Sequence, residues 1–229
     1  MRPFELLLFT VDPIRVAEAD RAGADAIVVD WERHGKHDRQ AGADTEINHH
    51  TQEDLRTVRA HFSGNVICRL NAVGPWTEDE LTAAIDGGAD EVLVPMVRSS
   101  EQAEWVLGLT AGRCGVGILV ETEEAVAASH ELAQLPLARV YVGLNDLAIE
   151  RGASSIFAAV RDGTVERVRE QFTSPFGFVG LTLPGCGSPV PCRLIAAELA
   201  RLECDFSFLR RSFARDSAGR PLAPELTRI

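Results

Sequence analysis

"AGADAIVVD", residues 22–30, and "GGADEVLVP", residues 87–95, are one device used twice. In each, a glycine stands where an amphipathic stretch ends, and glycine relieves the left-handed strain of a helix C-cap. An Ala-Asp step follows, then a run of apolar residues with no polar alternation. A short unbroken run of that kind suits a parallel strand covered on both faces. The recurrence at Gly23 and Gly88 points to a repeated β/α unit and not to a domain boundary.

The theme continues along the chain. Apolar runs occur at "ELLLF" (5–9), "AIVVD" (26–30), "NVICRLN" (65–71), "EVLVPMV" (91–97), "GVGILVE" (115–121), "RVYVGLND" (139–146), "FGFVGLTLP" (176–184) and "CDFSFLRR" (204–211). Between them, Thr51–Asp54, Thr77–Glu80 and Ser99–Gln102 each have the spacing of an N-terminal capping box. Eight strand–helix steps in 229 residues predict a single domain, residues 1–229, folded as a (β/α)8 TIM barrel. A doubly wound sheet is the alternative, weakened because no G-x-G-x-x-G follows the first strand. Only "ARDSAGRPLAPELTRI" (214–229) follows the last run, and its two prolines predict a final helix that is short or missing.

The formal net charge of −11 excludes a nucleic-acid backbone or an anionic membrane as the main partner. The five cysteines contain no C-x-x-C pair, which predicts reduced thiols and a cytoplasmic protein. The apolar stretch near the N-terminus is too short to span a membrane and is taken as the first strand.

In a barrel, chemistry gathers where the strands end. Those ends carry Asp30 and Glu32, Arg69 and Asn71, Glu121, then Asn145 and Asp146. Glu121 and Asp146 close adjacent strands, and two carboxylates that near repel unless a proton or a cation lies between them. Hard oxygen ligands of this kind suit Mg²⁺ or Mn²⁺; alternatively, one carboxylate caps a helix and the other pairs with an arginine. Arg69 needs an anionic partner, for which Asp30 or Glu32 is placed, and a guanidinium there can also polarise a carbonyl. His34 and His37 are candidates for proton transfer. "NHH" (48–50), His61 and His130 are expected on the surface. Lys36, the only lysine, falls in a loop.

With those residues placed, the chain resembles the HpcH/HpaI aldolase and citrate lyase β-subunit family of the phosphoenolpyruvate/pyruvate barrels. The resemblance rests on "GADAIVVDWE" (23–32), "CRLN" (68–71), "GADEVLVPMVRSSEQAE" (88–104), "ILVETEEAV" (118–126) and "VGLNDLA" (142–148), in that order. It implies a divalent metal held by Glu121 and Asp146, and Arg69 facing the oxygen of a pyruvate-like enolate. Backbone N–H groups around Asn145 and Asp146 would hold the substrate carboxylate. The chain departs from the aldolase pattern in having Arg33 where a histidine follows the second acid, with His34 shifted by one. It also has Leu119 where a glutamine is common.

The expectation that follows is a metal-dependent carbon–carbon lyase of the class II aldolase type, acting on a 2-oxo acid and an aldehyde. Arg69 would stabilise the enolate, and His34 or the Asp30/Glu32 pair would move the proton on the aldehyde oxygen. The alternatives are a citrate-lyase-like acyl-CoA lyase and a barrel that binds a ligand without catalysis. A homo-oligomer is expected from the resemblance.

Overall fold

The computed structural model describes residues 4–36 and 48–229. His37 lies outside them. Eight parallel strands close into a barrel in chain order: β1 Glu5–Phe9, β2 Ala26–Asp30, β3 Asn65–Arg69, β4 Glu91–Val94, β5 Gly115–Val120, β6 Arg139–Val142, β7 Phe176–Leu181 and β8 Phe206–Leu209. β1 pairs with β8 to complete the ring. The (β/α)8 architecture predicted from the apolar runs is the one observed.

The outer layer contains α1 Pro13–Ala22, α2 Gln52–His61, α3 Thr77–Asp86 and α4 Ser100–Thr110. After β5 come two short helices, α5 Glu123–Ala127 and α6 Ser129–Leu132. After β6 come α7 Leu144–Glu150, α8 Ala158–Arg161 and α9 Thr164–Arg169, and after β7 comes α10 Cys192–Arg201. The last strand leads into α11 Arg211–Asp216 and α12 Leu222–Leu226, separated by a break at Pro221. The shortened final helix is thus two fragments. α12 packs on α1, and Arg15 of α1 binds the connection through Ser217 Oγ at 3.0 Å and the Arg220 carbonyl at 3.3 Å.

Strand periodicity divides the apolar residues into two layers. Leu7, Ala26, Val28, Ile67, Leu93, Leu119, Tyr141, Phe206 and Phe208 form one cluster inside the barrel. Their neighbours one residue away, such as Ile27, Val29, Cys68, Val92, Ile118 and Val140, pack outward against Val16, Leu55, Val58, Leu81 and Val106 of the helices. Both faces are buried, which is why the strands read as unbroken apolar runs.

The handover at Gly23 is as expected: φ is 69° and its N–H closes on the last turn of α1. Gly88 also has positive φ, 89°. Thr51 and Asp54 form the reciprocal capping box. The other two boxes do not form, because their partners are drawn elsewhere. Glu80 turns to Asn71, accepting from its backbone N–H at 3.1 Å and its side-chain amide at 2.5 Å. Gln102 accepts from the Arg98 N–H at 2.9 Å. Among the described residues, no helix is long and apolar enough to cross a membrane.

Candidate active site

Alternation along the strands carries the inner layer upward from apolar to charged. Val28 gives way to Asp30, Ile67 to Arg69 and Leu119 to Glu121, so each charged residue continues the inward-facing row at the C-terminal end of its strand. Asp30, Glu32, Arg69, Asn71, Glu121 and Asp146 are all buried.

Asp30 and Arg69 are register partners on β2 and β3. The guanidinium grips the carboxylate with two bonds, Nε to Oδ1 at 2.8 Å and Nη2 to Oδ2 at 2.6 Å, and its Nη1 lies 3.2 Å from Glu32 Oε2. Asn48 Nδ2 adds a 2.8 Å bond to Asp30 Oδ2, and the Asp30 N–H donates to His50 Nδ1 at 2.9 Å. Burial pushes the Asp30 carboxyl up, but Arg69, with Lys36 and Asn48, overrides it and holds the group well below the usual carboxylate range. Glu32 is likewise driven up by burial and lowered on balance by Arg69 and Lys36. Asn48 and His50 are therefore half-buried partners of the site, whereas the sequence placed "NHH" on the surface; only His49 is exposed. The signal that could have found them is proximity in the fold, which separations of 18 and 20 positions from Asp30 hide.

Glu121 occupies a different environment. Burial, then the negative charges of Asp146 and Glu32, push its carboxyl up to about 8, with Arg69 and the Met96 N–H opposing. That N–H lies 3.2 Å from Glu121 Oε2 and is aimed by a left-handed backbone at Met96, φ 53°. A bulky residue at that φ costs about 1–3 kcal/mol, a strain typical of functional sites. The other side of the carboxyl needs Gly143, where an added Cβ would stand 2.7 Å from the Glu121 carboxyl carbon. Thr122 caps α5, accepting from the Ala125 N–H at 3.0 Å, and Glu123 and Glu124 fall in the first turn, where the helix dipole favours acids. They pair with Arg151 and Arg98 away from the mouth.

Asp146 lies in the first turn of α7, buried, with Asn145 half-buried beside it. Glu121 and Asp146 thus converge from β5 and the β6–α7 junction. Two buried carboxylates, one of them pushed towards the neutral form by the other, fit a divalent cation that takes its remaining ligands from substrate and solvent oxygens. Among the described residues, no group of three or more His, Cys, Asp or Glu is gathered as a closed metal cage.

The remaining sequence candidates separate. His34 is exposed, its ring edge-on to Trp76 with centroids 4.3 Å apart. Its backbone N–H, like that of Arg33, donates to Asn71 Oδ1, at 2.7 and 2.8 Å. Lys36, two residues on, is 1% exposed, and its Nζ lies 2.9 Å from Glu32 Oε2. Its loop position concealed this, although Glu32 four residues earlier was an available signal.

A family model described as HpcH/HpaI aldolase/citrate lyase matches residues 6–156. The chain belongs to the HpcH/HpaI aldolase/citrate lyase family, a family of aldolases and lyases. Among solved structures, it is similar to an HpcH/HpaI aldolase/citrate lyase family protein from Burkholderia cenocepacia J2315. The TM-score is 0.71 at 16% identity, over 100% of this chain and 95% of that one. It is also similar to the citrate synthase SbnG, with TM-score 0.67 and 19% identity over 98% and 92% of the two chains. An HpcH/HpaI aldolase from Desulfitobacterium hafniense DCB-2 matches with TM-score 0.64 and 15% identity over 90% and 87%. At these identities the likeness is one of fold. No curated protein sequence matches the chain.

Proposed function

We propose that this barrel makes or breaks a carbon–carbon bond between a 2-oxo acid and an aldehyde through a pyruvate-type enolate, with Glu121 and Asp146 holding Mg²⁺ or Mn²⁺. The observation that carries the reading is the buried Glu121 carboxyl, pushed up to about 8 by burial and by Asp146 at the mouth of the barrel. Such a pair is at rest only with a proton or a cation between its members. A divalent cation there supplies Lewis acidity towards the carboxylate and keto oxygens of the 2-oxo acid.

The protein's own groups do the rest. Arg69 presents a permanent positive charge at the mouth, its orientation fixed by the two bonds to Asp30 and the contact with Glu32. A guanidinium held before the reaction begins stabilises negative charge as it develops on the enolate oxygen without reorganising. Asp30 and Glu32 keep that guanidinium charged and aimed. Asn145 and Asp146, at the start of α7, would receive the substrate carboxylate through their backbone N–H groups.

The test is exchange of the pyruvate methyl protons in D₂O with Mg²⁺ or Mn²⁺, followed by proton NMR. Exchange in the wild type, abolished in Glu121→Gln and Asp146→Asn, is the expected result. No exchange with any divalent cation overturns the reading. Turnover of acyl-CoA substrates in its place would assign the barrel to the acyl-CoA lyases.

A further inference from the structure

The buried charges of the mouth contain one group that the reading above leaves without work. Lys36 is the only lysine of the chain, against 23 lysines and arginines in all. It is 1% exposed, among the largest fully buried side chains of the molecule. An ammonium carries three donors and is costly to bury unless they are met. Lys36 Nζ is 2.9 Å from Glu32 Oε2 and 3.9 Å from Asp30 Oδ2. Both are ion-pair approaches, and Nζ is the only buried side-chain nitrogen or oxygen without a regular hydrogen-bond partner among the described residues. The amine is held in place by charge, with donors to spare.

Among the described residues, four charged groups act on it most strongly. Asp30 and Glu32 at the end of β2 favour the ammonium; Arg69 at the end of β3 and Arg210 at the end of β8 disfavour it. Burial is the largest influence, and on balance the amine is held below the ordinary lysine range. The arginines beside it are permanently charged and can neither take nor give a proton.

Resting on the enolate reading, we propose that Lys36 is the proton carrier of this site and a catalytic residue. The neutral amine takes a proton from the methyl carbon of the 2-oxo acid, and the electron pair of that C–H bond passes into the enolate. As the enolate carbon then bonds to the aldehyde carbon, the carbonyl π pair moves onto the aldehyde oxygen, which takes the proton from Nζ. One proton leaves carbon and arrives on oxygen, and the amine returns to its starting form. Cleavage runs the same steps in reverse.

Because Lys36 is alone in the sequence, protein labelled with ¹⁵N-lysine gives a single side-chain resonance. The experiment titrates that resonance with pH, with and without pyruvate and Mg²⁺. It also measures methyl exchange in Lys36→Arg and Lys36→Met after circular dichroism and Mg²⁺ titration confirm the fold and cation site. The expected result is a titration below the ordinary lysine range that pyruvate shifts. In both variants kcat for exchange falls by about 100-fold or more with KM little changed. Lys36→Arg keeps the charge and loses the pH dependence. Exchange that survives in Lys36→Arg with the wild-type pH profile overturns the assignment of Lys36 alone, as does an ordinary titration indifferent to pyruvate. Absence of exchange in the wild type overturns the enolate reading and the proton step with it.

Discussion

Asp30 and Arg69 sit directly opposite each other on neighbouring strands and are joined by two hydrogen bonds of 2.8 and 2.6 Å. The pair is the anchor of the barrel mouth. Both side chains are nearly inaccessible, so neither charge has solvent to fall back on. Removing one partner leaves the other buried and uncompensated, which costs about 3–5 kcal/mol. Asp30→Asn should lower stability by about that amount in urea denaturation, and methyl exchange should fall as Arg69 loses its fixed orientation.

The same pair sets an acid limit. The Asp30 carboxyl is held below its ordinary value of 3.8, so at low pH the unfolded chain takes up the proton first. Its contribution to stability is present above that ordinary value and is lost as pH falls through the lower folded value. The thermal stability of the wild type should therefore fall steeply below about pH 4. In Asp30→Asn that part of the slope should disappear.

Glu121 has the opposite sign. Its carboxyl is raised from 4.5 to about 8, so the folded protein without a cation holds a proton that the unfolded chain releases. That contribution is full below the ordinary value and fades as pH rises towards the folded one. A divalent cation must displace this proton. Mg²⁺ affinity should climb as pH rises towards 8, with proton release visible in calorimetry as a dependence on buffer ionisation. Glu121→Gln should abolish both.

Gly143 offers a purely steric test. Its backbone, φ −86° and ψ 94°, is open to any residue, but an added Cβ would collide with the Glu121 carboxyl. Gly143→Ala should leave the barrel folded, at a cost of about 1–3 kcal/mol from overpacking. Mg²⁺ binding, measured by titration calorimetry, should weaken by tenfold or more.

The eight strands were legible because burial on both faces leaves unbroken apolar runs, and the handover glycines Gly23 and Gly88 mark where β2 and β4 begin. Glu121 was legible for the same reason, as a carboxylate closing a run that belongs indoors. Arg69 and Asp30 followed from their places at adjacent strand ends. The rest depended on geometry that spacing does not encode. Glu80 left its capping box for Asn71, which is nine residues away in sequence and adjacent in the fold. Lys36 and His50 lie between β2 and α2, where no periodicity places a side chain; the i,i+4 spacing from Glu32 hinted at Lys36, and His50 showed its role only once Asp30 was seen beside it.

The far end of the barrel holds a second set of charges, with Arg139 and Glu91 buried and Glu5 partly exposed. Arg139 Nε lies 2.6 Å from Glu91 Oε1 and its Nη1 lies 3.2 Å from Glu5 Oε2. Gly117 makes room, since a Cβ there would stand 2.7 Å from Glu91 Oε1. Between this floor and the mouth sits the plug of Leu93, Leu119, Tyr141 and Phe208. Glu121 is four residues up the chain from Gly117, roughly 13 Å of strand rise. Over such a separation, with no shared partners, substitutions add independently. Arg139→Met should destabilise the fold by about 3–5 kcal/mol with Mg²⁺ affinity unchanged in the same titration. The floor is thus a tuning point: exchanging its ion pair for well-packed apolar residues can raise the working temperature of the barrel while its chemistry, a full strand length away, stays as it was.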